Sequence, residues 1–171
     1  MRDIADLQAA YDELLEAAAS AGASVPSEDD WGVDTVLAHV VASSRMLAAA
    51  SAELLSSRIP VVDNRPTQCR EYLDAIVSSA GSREALLGTV RNCGHELILI
   101  ASQLPDGREL TSVPTIIVHA GRARVERPVP FSTLLDPSHV REHVGQLRSL
   151  ADRDDRTTDQ LRAGTNREEQ P

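Results

Sequence analysis

Asp136-Pro137-Ser138-His139-Val140-Arg141-Glu142-His143 reads as the opening of a helix that carries two imidazoles on one face. Asp136 suits the N-cap, where its oxygen accepts from an orphan N–H, and Pro137 suits the first helical position because it has no N–H to satisfy. His139 and His143 are four residues apart, so their rings stand one turn above the other. Val140, Val144, Leu147 and Leu150 run along and beside that face, while Arg141, Gly145 and Ser149 fall opposite, so the histidines are aimed inward. The spacing is one that a metal ion can bridge, and it is also that of two ordinary polar residues at a core boundary. A third ligand decides between these readings.

The frame is that of one domain. A chain of 171 residues buries a proper core and is short for two domains of typical size. All 17 basic residues are arginine and alanine is abundant, the bias of GC-rich genomes of the actinobacterial kind. A formal charge of -9 argues against a protein whose task is to hold nucleic acid phosphates. The N-terminus lacks the apolar core of a signal peptide and no later stretch reads as a membrane span, which places the protein in the cytoplasm with no membrane partner. Cys69 and Cys93 form no C-x-x-C pair and read as free thiols filling the core.

Along the chain, apolar residues from Ile4 to Ala18 recur at helical intervals and predict a helix over Asp3 to Ala21, closed by Gly22 and Pro26. A second helix, Asp34 to Ser57, is apolar over much of its circumference, which marks a central bundle helix. Ile59 to Pro66 reads as a linker crossing the bundle end. Helices follow over Thr67 to Ser79 and Ser82 to Gln103, with Gly88 and Gly94 permitting close approach. From Val113 to Pro130 branched residues surround Ala120-Gly121 and predict a β-hairpin, with His119 an exposed strand-end residue. The last helix is expected to fade near Asp152, giving a helical domain over residues 1–152 and a disordered tail over 153–171.

The third imidazole is found in the second helix. His39 sits in the middle of its apolar surface, where a lone histidine is more often a hydrogen-bonded core residue than a ligand. Here a single bundle core can bring it to the His139–His143 pair, and ligand sites built from facing helices recur in bundles.

Trp31, the buried Val36-Leu37-Ala38-His39 segment, a bundle helix, a hairpin ending in Pro128-Val129-Pro130-Phe131, and His139-x-x-x-His143 followed by Gln146-Leu147 come in an order that resembles the DinB-like superfamily. Within it the chain is similar to the thiol-dependent transferases and to the N-terminal domain of mycothiol-dependent maleylpyruvate isomerases, over residues 1–152. The resemblance implies a mainly α fold, a four-helix bundle with a small β-hairpin before the last helix. It also implies a divalent metal, zinc or nickel, held by His39, His139 and His143, and mycothiol as the thiol. The isomerases usually have Glu at the first position of the final pair and an additional C-terminal domain; His139 and the length of this chain argue against isomerase activity.

Three neutral imidazoles suit Zn²⁺ and leave a tetrahedral position open, the pattern of a catalytic site. A thiol there loses its proton because the cation stabilises the thiolate, which remains a nucleophile toward carbon. The expectation is a transferase that joins a low-molecular-weight thiol to small electrophiles, with His39, His139 and His143 acting through the metal, and it is compatible with a homodimer. Because imidazoles bind metals when neutral, acidification below about pH 6.5 is expected to release the ion. A non-catalytic metal-binding or dimerisation module and a metal-dependent hydrolase on the same scaffold are the alternatives. The string His139-x-x-Glu142-His143 also fits the inverted zincin pattern, but the only later glutamates, Glu168 and Glu169, fall in the expected tail.

Overall fold

The structure, a computed structural model, describes residues 4–22, 31–118 and 125–165 and is mainly helical with one small sheet. Helix α1 spans Ile4–Ser20 and buries Leu7, Tyr11, Leu14 and Ala18 at the predicted spacing. Helix α2, Val33–Leu55, buries every side chain from Thr35 to Ser44. Ser44 and Ser51, buried within it, donate their hydroxyls to the carbonyls of Val40 and Leu47 at 2.7 and 2.8 Å, which satisfies them inside an apolar helix. Among the described residues α2 is the one helix long and apolar enough to cross a bilayer, where the sequence reading expected no such stretch. In the fold, 78% of its apolar window is buried against protein, as befits a central helix.

The linker after α2 does more than cross the bundle end. Its residues Val62–Asp63 form β1, followed by a single 3₁₀ turn over Pro66–Gln68. Helices α3, Arg70–Ala80, and α4, Arg83–Ser102, follow. Gly81 takes the left-handed φ of 73° that ends α3, and Ser82 Oγ accepts from Ala85 N–H to cap α4. Strands β2, Ser112–Ile117, and β3, Val125–Pro130, form the expected antiparallel hairpin. Its turn, with Ala120-Gly121 and His119, lies outside the described residues. Strand β1 pairs parallel to β2, so the hairpin is widened to three strands in the order β1-β2-β3. Asn64 locks this edge, donating to Val118 O and accepting from Val118 N–H. A one-turn helix α5, Phe131–Leu134, with Phe131 fully buried, leads into α6, Ser138–Thr165.

Two features of α6 differ from expectation. Asp136 does cap the helix, accepting from Ser138 N–H at 2.8 Å, but Pro137 stands just before the first helical residue, its carbonyl taking the first intrahelical bond from Arg141. The backbone also remains helical to Thr165, well beyond Asp152, where a disordered tail was expected. Low apolar content removes a reason to pack, but it does not break a helix; no proline lies between Pro137 and Pro171 and no glycine between Gly145 and Gly164.

The four long helices neighbour one another as a ring, α1 against α4, α4 against α2, α2 against α6 and α6 against α1, with α3 laid on α2 and α4. Two ion-paired clamps set their relative positions. Arg83 bonds Asp34 of α2 and the carbonyls of Ala21 and Gly22 beyond α1. Arg141, on the side of α6 away from the histidines, bonds Asp6 and approaches Glu13, both on α1. These pairs are partly exposed, so they orient the helices more than they stabilise the fold. Gly94 permits the α4–α1 contact, since a Cβ there would stand 2.7 Å from the Tyr11 ring; Gly88 faces open space and has no such role. The core divides into one apolar cluster around α1, α3 and the first half of α2, and another around the second half of α2 and the sheet.

Candidate metal centre

His39, His139 and His143 converge between α2 and α6, each pair of rings meeting edge to face with centroids 4.7–5.6 Å apart. Their candidate ligand atoms lie within 4.8 Å of one another, a set that can hold a metal ion. Three nitrogens bound to one tetrahedral ion at ordinary lengths stand about 3.3 Å apart, so the set must contract by at most about 1.5 Å, within reach of small ring rotations. His39 and His143 are buried and His139 is exposed, which makes His139 the solvent side of the cluster.

The tautomers follow from the hydrogen bonds. His39 Nδ1 lies 2.7 Å from the Thr67 carbonyl, which can only accept, so Nδ1 carries the proton and Nε2 presents a lone pair. His143 Nδ1 lies 3.1 Å from Gln146 Oε1 and likewise donates. Its Nε2 is buried with no hydrogen-bond partner, the only such side-chain atom among the described residues. A buried acceptor left unpaired costs on the order of 1–3 kcal/mol, and a cation is the partner that suits a lone pair facing two other imidazoles. Holding Nδ1–H on an oxygen while Nε2 points at the site is the arrangement that orients metal-binding histidines. The donor set therefore fits a divalent ion.

Burial makes both inner rings poor bases. It pushes the His39 pKa down to about 4 against the raising effect of the bond to Thr67, with His143 lowering it further. His143 also falls to about 4, first through burial and then through His139, with Gln146 opposing. The rings are thus neutral, as a ligand must be, well below the pH of about 6.5 taken from unperturbed imidazole, and the expected window for acid release moves down accordingly.

Around the centre, Trp31 covers His39 with ring centroids 5.0 Å apart. Ser43 Oγ lies 3.4 Å from His39 Nε2, a long contact that only its hydroxyl proton can make. Tyr11 and Ser44 share a hydrogen bond of 2.7 Å. A cavity of about 20 Å³ opens beside His139 and His143, walled by Val40, Leu47, Leu97 and Leu135 with Tyr11, Ser43 and Ser44. Glu142 is exposed. Cys93 is buried, but Cys69 is exposed at the start of α3, donating to Glu71, which corrects its reading as core. Neither cysteine lines the cavity.

The three histidines were the candidates of the sequence reading, and the fold brings them together. Thr67, Ser43 and the Tyr11–Ser44 pair were missed. Thr67 acts through its backbone carbonyl, which leaves no trace in residue type; Ser43 carries a signal, one turn after His39 on the same helix. Compared with protein-family models, curated proteins and solved structures, the chain matches none of them.

Proposed function

We propose that this chain is a DinB-like, metal-dependent transferase of the cytoplasm that uses a low-molecular-weight thiol, mycothiol, as nucleophile toward small electrophiles. The observation that carries the reading is the unpaired, buried Nε2 of His143 beside the lone pair of His39 and the exposed His139. A divalent ion held there, Zn²⁺ before Ni²⁺ on ligand type, supplies the positive charge that lowers the pKa of a thiol at the remaining position.

The chain's own residues do the rest. Thr67 and Gln146 fix the two inner rings in the tautomer that presents Nε2. Trp31 and the apolar walls keep water from the inner side, and the exposed edge at His139 admits the thiol. Because the attacking sulfur belongs to the cofactor, neither protein thiol is needed.

The test is a conjugation assay with the metal-loaded protein and a generic electrophile. Mycothiol supports turnover better than glutathione, chelation abolishes it, and Cys69→Ser with Cys93→Ser retains most of the rate. A folded, metal-loaded double variant without activity overturns the mechanism. Failure of every thiol leaves the module without catalysis, or the hydrolase, as the reading of the site.

A further inference from the structure

The carbonyl that orients His39 is itself held from the sheet. Thr67, only 2% exposed, donates its N–H and its hydroxyl to the carbonyl of Asn64, at 3.0 and 2.9 Å. The Asn64 side chain in turn pairs with the backbone of Val118, its amide nitrogen donating to the carbonyl at 3.0 Å and its oxygen accepting from the N–H at 2.7 Å. Both amide atoms are assigned by their partners, since a carbonyl only accepts and an N–H only donates. A continuous series of hydrogen bonds therefore runs from the end of β2 through Asn64 and Thr67 to His39 Nδ1.

The register of the sheet explains why a side chain makes this link. Asp63 stands opposite Ile116, and Asn64 N–H continues the parallel ladder to the Ile116 carbonyl at 3.0 Å. In a ladder carried one step further, the Asn64 carbonyl would accept from Val118 N–H and the N–H of residue 66 would donate to the Val118 carbonyl. Residue 66 is proline and has no N–H, and the Asn64 carbonyl has turned to Thr67. The Asn64 amide supplies both missing bonds. The backbone can thus leave a two-residue strand, enter the 3₁₀ turn and deliver the Thr67 carbonyl to a buried ring.

We infer that Asn64 is a positioning residue for the metal centre, one that sets the His39 ring through Thr67. For the ion this rests on the reading of the three histidines as ligands; for the ring it rests on the hydrogen bonds alone. Without the amide the turn shifts against the sheet and carries the Thr67 carbonyl with it. His39 Nδ1 then loses its fixed acceptor, and Nε2 loses its aim. His143, held by Gln146 on its own helix, keeps both.

Asn64→Ala and Thr67→Val break the series at two different links. Val62→Ala takes buried packing from β1 but no bond from the series, so it controls for plain loss of stability. Nitrogen-15 NMR of the imidazoles in the metal-free full chain follows the Nδ1–H protons of His39 and His143. In Asn64→Ala the His39 proton is lost to fast solvent exchange while that of His143 stays as in the wild type, and Val62→Ala changes neither. Zn²⁺ titration against a competing chelator then shows binding weakened about tenfold by Asn64→Ala, the lower end of what an orienting partner is worth, about threefold by Thr67→Val, and not at all by Val62→Ala. A wild-type His39 signal or a wild-type Zn²⁺ affinity in Asn64→Ala overturns the inference, and so does a Val62→Ala protein that loses both to the same extent. If Asn64→Ala does not fold, Thr67→Val decides on the same signals. A wild-type chain that binds no Zn²⁺ loses the metal reading, and the His39 proton still decides whether Asn64 holds the ring.

Discussion

Replacing His143 by Ala removes the thermal stabilisation that Zn²⁺ gives the protein while leaving the metal-free protein about as stable as before. The two halves of this result have different causes. Ligand loss is severe because even a group that only orients a metal-binding histidine is worth about 10- to 100-fold in affinity, and His143 offers a lone pair directly. At a free-ion concentration a thousandfold above the dissociation constant, binding stabilises by about 4 kcal/mol, and a hundredfold weaker site gives up more than half of that. In the metal-free protein the variant also deletes the buried, unpartnered Nε2, which offsets the space it leaves. His39→Ala differs, because it strips the Thr67 carbonyl of its donor and costs the metal-free fold on the order of 1–3 kcal/mol. Melting curves of both variants with and without Zn²⁺, together with metal content, check this. A His143→Ala protein that retains its ion and its Zn²⁺-dependent shift contradicts the assignment.

The second large effect is on pH. In the metal-free protein His39 and His143 have folded pKa values of about 4, below the unfolded value of about 6.5. Between those values the unfolded chain binds more protons, so stability falls as the pH falls. Stability is highest above about pH 6.5 and is lost progressively toward pH 4. Protonating each buried ring costs the fold roughly 3 kcal/mol by this linkage, a large share of the 5–15 kcal/mol typical of a domain. The metal-free protein is therefore acid-labile on its own account, with a melting temperature that drops steeply between pH 6.5 and 4. His143→Gln flattens that profile. Bound metal holds the rings neutral and moves the drop lower. A metal-free melting temperature that stays level across the window contradicts the burial of neutral imidazoles.

What the sequence revealed of this site follows from helical periodicity. The inward aim of His143 was legible because Val140, Val144, Leu147 and Leu150 mark the buried side of α6, and all four are buried, whereas His139, read as inward too, lies exposed at the edge of the cluster. His39 was found because α2 is apolar nearly all round and a polar ring there needs a partner. Interactions that carry no residue pattern stayed hidden. Strand β1 is two residues long and has no period to read, and the carbonyl of Thr67 is chemically the same at every residue. The exposure of Cys69 depends on where the linker docks, and a cysteine looks equally apolar in either place. The length of α6 was underestimated because low hydrophobicity was read as disorder, although backbone chemistry permits the helix to run on.

The most direct measurement of the central claim is anomalous diffraction from crystals of the Zn²⁺-loaded protein at the zinc edge. A single strong peak is expected among the three imidazoles, about 2.0–2.1 Å from His39 Nε2, His143 Nε2 and one ring nitrogen of His139, with no fourth protein ligand. A peak at Cys69 and Glu71, or at any site that leaves His143 Nε2 without a partner, contradicts it.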